Sequence, residues 1–155
     1  VKIVEPVFFA ITHELVMALK DAESQEQKVL LYLKAIKKNV FFGMTWTMFF
    51  LIAYFTVWDY VSQSFISLPD DMIVLLVVSF FLINVYSGIG YFLISMDDYQ
   101  SNFLVSVLPP ICGTAALGMF LIRGDVDNNV IVYYVFLVAI IRFLLAKLFL
   151  RRKAV

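Results

Sequence analysis

MIVLLVVSFFLINVYSGIGYFLIS, residues 72–95, carries no charged side chain in 24 consecutive positions. A helix of that length covers roughly 36 Å at ~1.5 Å per residue, enough to cross a ~30 Å hydrocarbon core. Three more apolar runs of comparable length lie at 40–62, 103–122 and 130–150. The segments between them are short and hold turn formers such as Pro69, Gly124, Asn128 and Asn129. Short connections impose antiparallel neighbours, so the expected fold is all-α, a polytopic up-down bundle of four transmembrane helices.

The remainder of the composition agrees with a lipid solvent. Hydrophobic residues make up 63% of the 155-residue chain and charged residues 15%, against about 25% charged in soluble domains. Twelve Lys+Arg balance twelve Asp+Glu, which gives no electrostatic reason to expect direct nucleic-acid binding. Cys112 is the sole cysteine, which excludes an intrachain disulfide framework. The stretch 7–19 is broken by Thr12, His13 and Glu14 and is followed by no small-residue cleavage pattern, so insertion is expected to rely on the later helices.

Basic residues supply a direction. Lys20, Lys28, Lys34, Lys37 and Lys38 precede the first span, and Arg151, Arg152 and Lys153 follow the last. The segments expected to face outward hold Arg123 but also Asp70, Asp71, Asp125 and Asp127. Lys and Arg are retained on the cytoplasmic side, so both termini are expected there, in a bacterial inner membrane. Trp58 and Tyr60 are expected to mark the outer interface with Asp59 solvated between them, and Trp46 the inner one.

Residues 1–39 differ from the spans. Phe8, Ile11 and Leu15, then Val29, Leu33 and Ile36, recur at helical spacing on either side of a polar stretch at 20–28. This predicts two amphipathic helices, cytoplasmic or interfacial, whose apolar face lies on the membrane surface, packs beneath the bundle or pairs with a cytoplasmic protein partner. The domain reading is therefore 1–39 amphipathic, 40–150 transmembrane and 151–155 a basic cytoplasmic tail.

No phosphate loop, dinucleotide fingerprint, zinc spacing or nucleophile elbow occurs. His13 lacks a second ligand one turn away, so the sequence predicts no catalytic residue, metal site or cofactor. Within the spans, Asn84, Gly88, Tyr91, Ser95 and Asp98 fall at spacings that place them on one face of a continuous helix. This stripe is expected to turn inward for packing or pore lining. Arg142 stands nine residues before Arg151, about 13 Å along a helix. It is expected to reach toward Ser95 and Asp98 or to line a polar cavity with Asn84, or, if span four ends near Ala146, to snorkel to lipid phosphate. Gly113, Ala115, Ala116 and Gly118 form a close-packing set on span three, where Pro109 and Pro110 predict a kink.

Three functional classes follow. The first is a non-enzymatic, self-associating membrane anchor or sensor subunit of a larger complex, working on its cytoplasmic side. The second is an oligomeric ion-conducting pore or small transporter. The third is a lipid-modifying enzyme using Asp97, Asp98 and Tyr91, which lacks a nearby histidine.

Overall fold

A computed structural model describes residues 5–61, 69–123 and 128–153. They form six helices: α1 (Glu5–Asp21), α2 (Gln25–Val61), α3 (Asp70–Val85), α4 (Ile89–Ser95), α5 (Tyr99–Arg123) and α6 (Asn128–Lys153). The fold is all-helical with four stretches long and apolar enough to cross a membrane: α2, the α3–α4 pair, α5 and α6. The chain is thus an integral membrane protein. The side chains of Trp58, Asp59 and Tyr60, and the residues Asp125 and Asp127, lie outside the described set.

Local chemistry sets the ends of the helices. The polar stretch expected to separate the amphipathic helices does so at residues 22–24, where Ser24 opens α2 with a capping box. Its Oγ accepts from the Gln27 amide at 3.2 Å, while Gln27 Oε1 accepts from the Glu23 and Ser24 amides at 3.1 and 3.4 Å. Pro69 precedes α3, with Asp70 and Asp71 in its first turn, where carboxylates complement the helix dipole. Arg151, Arg152 and Lys153 occupy the last turn of α6, the favourable end for cations.

Two sequence expectations change. No break separates the second amphipathic helix from span one. The two form a single helix of 37 residues, about 55 Å long. Its amino-terminal half does not lie beneath the bundle. Lys28 meets Ser95, Tyr32 meets Tyr86 and Phe92, Asn39 meets Val85, and Tyr54 meets Asp70. Those pairs run antiparallel from one end of span two to the other, so α2 lines that span over its whole height.

The second change concerns span two itself, which is not one helix. It is interrupted at Tyr86–Gly88, with Gly88 left-handed at φ +82. Span three is one helix from Tyr99 to Arg123 with Pro109 and Pro110 inside it.

Burial is uneven along the bundle. The main core collects Ile11, Leu15, Tyr32, Ile89, Phe92, Val105, Ala146 and Phe149, among others, from α1, α2, α4, α5 and α6. It lies toward the end that also carries Lys28, Asp98 and Lys153, referred to below as the basic end. Toward the other end, α2 presents Met48, Phe49, Ile52 and Phe55 outward, as lipid-facing side chains should be.

This core also answers where the amphipathic face goes. Ile11, Leu15 and Val29 are buried in it, Leu33 and Ile36 pack against it, and Phe8 meets Phe80 edge-on at 6.0 Å. Of the places open to that face, it takes the chain's own helices. Periodicity identified the apolar stripe but does not encode what covers it.

Candidate functional site

An interrupted helix inside a bilayer releases carbonyls that water cannot reach, so neighbouring side chains must take them up. Here α2 supplies them. The Tyr32 hydroxyl donates to the Tyr86 carbonyl at 3.3 Å, and Asn39 Nδ2 donates to the Val85 carbonyl at 3.4 Å. Both donors are buried, at 0% and 1% exposure. Tyr32 is held in place by stacking on Phe92, with ring centroids 4.6 Å apart and planes 9° from parallel.

α1 closes the break from a third side. Thr12 Oγ1 lies 2.8 Å from Ser87 Oγ, one hydroxyl donating to the other. A Cβ on Gly88 would meet Leu15 Cδ2 at 2.9 Å. The left-handed backbone favours glycine at this position, and any side chain there would also displace the end of Leu15. At the far end of α4, Lys28 Nζ donates to the Ser95 carbonyl at 2.6 Å, placing a cation at a helix carboxyl terminus.

The predicted stripe of span two therefore divides. Gly88 is the hinge of the interruption and not a packing position within a helix. Past it the helical phase is reset, and Tyr91 emerges 56% exposed. Asn84 donates from Nδ2 to the Phe80 carbonyl of its own helix at 2.7 Å, and Ser95 Oγ to the Phe92 carbonyl at 2.7 Å. The face that a single helix across 72–95 would give them is interrupted at Tyr86–Gly88.

Asp98 has a structural post. Asp97 adopts φ +57, and the Asp97 and Asp98 amides donate to the Ile94 and Leu93 carbonyls at 3.0 and 2.9 Å, the pattern of a Schellman turn. Asp98 Oδ1 then caps α5 by accepting from the Ser101 amide at 3.1 Å. Its Oδ2 pairs with Lys153 Nζ at 2.9 Å. The Lys153 ammonium, helped by the Ser101 bond and opposed by burial, holds this carboxyl below its ordinary range. The expected partnership of Asp98 with Arg142 is thereby replaced by one with Lys153.

Arg142 is partly buried on α6 and makes no hydrogen bond or ion pair among the described residues; its Nε is enclosed without a partner. It lies within electrostatic reach of Tyr32. Next to it in sequence, Phe143 packs edge-on against Tyr86 at 5.1 Å.

Sequence reading missed a second set. Tyr32, Asn39, Thr47 and Tyr54 recur at intervals of seven and eight along α2, which aligns them on one helix face. Tyr54 donates to Asp70 Oδ1 at 2.7 Å, and Ser79 Oγ of α3 donates to the Leu75 carbonyl at 2.7 Å. Asn39 Oδ1 and Thr47 Oγ1 are buried without partners among the described residues. The polar spacing was visible in the sequence. It was hidden by the assumption that α2 begins its span only at residue 40.

On span three, Gly113 is a true contact point: a Cβ there would fall 2.5 Å from Val138 Cγ2 and 2.7 Å from Tyr134 Cε2. Gly118 has open space instead, and Ala115 is exposed. Residues 113 and 118 are separated by about 140° around an α-helix, so both cannot face α6. The chain matches no known protein-family model, and neither a curated protein nor a solved structure is significantly similar to it.

Proposed function

We propose that this chain is a non-enzymatic membrane component, a sensor or relay subunit of an oligomeric assembly, with both termini in the cytoplasm of a bacterial inner membrane. The observation that carries the reading is the seating of α1 on the interruption of span two, through Thr12 on Ser87 and Leu15 on Gly88. A segment outside the spans thereby touches a place where a transmembrane helix is already broken. Displacing α1 uncovers the Gly88 turn, and straightening or bending that turn in turn displaces α1. Each position biases the other, which is the minimum requirement for coupling.

The orientation follows from the basic residues at the core end. With the inner face of the α1–α2 hairpin filled, a partner's contact shifts to its outward side, where Phe9, Met17 and Leu30 are exposed. The lipid-enzyme reading loses support because Asp98 is engaged as a cap and ion-pair partner.

The test is amide exchange in liposomes across residues 86–90, comparing the parent with Leu15→Glu. Faster exchange confined to that turn is the expected result; unchanged exchange removes the coupling. Protease access to tags at each end reports orientation, and cleavage from the outer side of right-side-out vesicles would reverse it.

A conducting oligomer is the second reading, favoured by the polar face of α2 and its unpartnered Asn39 and Thr47 atoms. Ion flux through proteoliposomes that disappears in Asn39→Leu would establish it in place of the relay.

A further inference from the structure

The contacts that hold α2 along span two also fix the height of the charges it carries. Tyr32 stacks on Phe92 and Asn39 donates to the Val85 carbonyl, so Lys34, Lys37 and Lys38, which lie between, stand level with residues 86–90. Glu14 of α1 is brought to the same height by its ion pair with Lys38 at 2.6 Å.

The other flank has a different character at that height. Span two is packed by α1 and α2 and, separately, by α5 and α6. On α6, Phe143 meets Tyr86 and Lys153 meets Asp98, and Leu144 and Leu148 between them are exposed. On α5, Asn102 lies against Gly90, and the adjoining Phe103 and Leu104 are exposed. Those apolar side chains suit hydrocarbon. Lys34, Lys37 and Glu14 are exposed at equal depth and do not, since charges within spans face a bundle interior or a watery recess.

What α1 and α2 present there is a groove. Ala18, Ala22, Leu30 and Leu31 line an open space of about 530 Å³ together with Asp21 and Lys34, and it continues along Ala18 and Leu31 to Glu14 and Lys38. Water gains nothing from so apolar a lining, which suits a protein surface instead. The charges decide which surface. Along the groove the acids Glu14 and Asp21 belong to α1 and the bases Lys34 and Lys38 to α2. A two-fold axis along the membrane normal preserves depth and sets α1 of one copy on α2 of the other, so acid meets base. Lys34, which lines the same stretch as Glu14, holds no ion pair among the described residues. The Glu14 carboxylate has acceptor sites for a second lysine beside Lys38.

We infer that this groove is an interface between two copies of the chain, related by a two-fold axis along the membrane normal, with Leu30 of each seated in the other's groove and Lys34 of each paired with the partner's Glu14. The inference rests on the oligomeric reading above and supplies its contact surface. Association covers the charged flank and leaves the apolar flank to lipid.

The experiment uses the full chain in liposomes, carrying Cys112→Ser to remove the native thiol, with Leu30→Cys added. Leu30 is 65% exposed, so the substitution spares the core. Oxidation by copper phenanthroline should join two copies through residue 30, whereas Leu144→Cys on the apolar flank should stay monomeric. Adding Lys34→Glu to the Leu30→Cys chain should lower the joined fraction roughly tenfold, because like charges then face each other. Mixing that chain with a Glu14→Lys, Leu30→Cys copy of different length restores opposite charges at both positions of the mixed dimer, which should exceed either homodimer.

Equal joining at residues 30 and 144 marks random collision and overturns the interface, as does a yield that Lys34→Glu leaves unchanged. The latter holds even if the Glu14→Lys copy fails to fold. The mass of the detergent-solubilised particle separates the two readings: an oligomer that does not join at residue 30 overturns this surface alone, and a monomer overturns the oligomeric reading with it.

Discussion

The hydroxyls of Thr12 and Ser87 lie 2.8 Å apart although 75 residues separate them in sequence. This contact joins a helix outside the spans to the turn that interrupts span two, and Leu15 and Gly88 lie against each other beside it. Its strength is directly measurable. Thr12→Val and Ser87→Ala should each destabilise the bundle by about 1 kcal/mol, with a double variant no worse than either single one. Denaturation in detergent checks this; full additivity would mean that the hydroxyls do not bond to each other.

Gly88→Ala combines two penalties. A side chain is strained at φ +82, and its Cβ would stand 2.9 Å from Leu15 Cδ2. The expected loss is about 1–3 kcal/mol. Leu15→Ala in the same chain should relieve the steric part and leave the backbone part, which a four-variant thermal series resolves.

Asp98 and Lys153 should behave as a coupled pair, and Asp98 and Arg142 as strangers. Asp98→Asn with Lys153→Gln is expected to be non-additive, whereas Asp98→Asn with Arg142→Leu should add within about 0.5 kcal/mol. Asp98→Ala, which also removes the α5 cap, should cost about 0.5–2 kcal/mol.

The pH dependence of that pair has a definite sign. The folded-state pKa of Asp98 lies below its ordinary value of 3.8 because Lys153 favours the ionised form. The stability it contributes is therefore fully present above the ordinary carboxylate range and is lost as pH falls through the lowered folded value. A melting-temperature profile in acid should lose this component in Asp98→Asn and in Lys153→Gln. Glu14 is also lowered, chiefly by its bond to Lys38, but that pair is solvent-exposed and should add little.

Thr47 carries a buried hydroxyl with no partner among the described residues. Thr47→Val keeps the shape and removes the unsatisfied group, so stability should rise by up to about 1 kcal/mol. A fall of that size would reveal a water bonded to Thr47, and with it a hydrated face on α2.

The span count was legible because insertion into hydrocarbon depends on length and polarity, and uncharged runs such as 72–95 satisfy both without reference to their neighbours. The turn between α1 and α2 was legible for a similar reason: Ser24 and Gln27 cap a helix with bonds confined to a few residues. The apolar stripe of Phe8, Ile11 and Leu15 was equally visible as periodicity. Its neighbours were not.

Tertiary structure decided what those local rules leave degenerate. Tyr86–Gly88 reads as tolerable helix, and the break there is bonded by Tyr32 and Asn39 and packed by Leu15, none of them its neighbours in sequence. Past that break Tyr91 is exposed. Lys153 and Arg142 lie on one helix, and of the two Lys153 is the one that pairs with Asp98. Sequence determines which groups must be satisfied in an apolar medium, because solvation is a property of each group alone. Which partner satisfies them depends on distances between helices, and those exist only after packing.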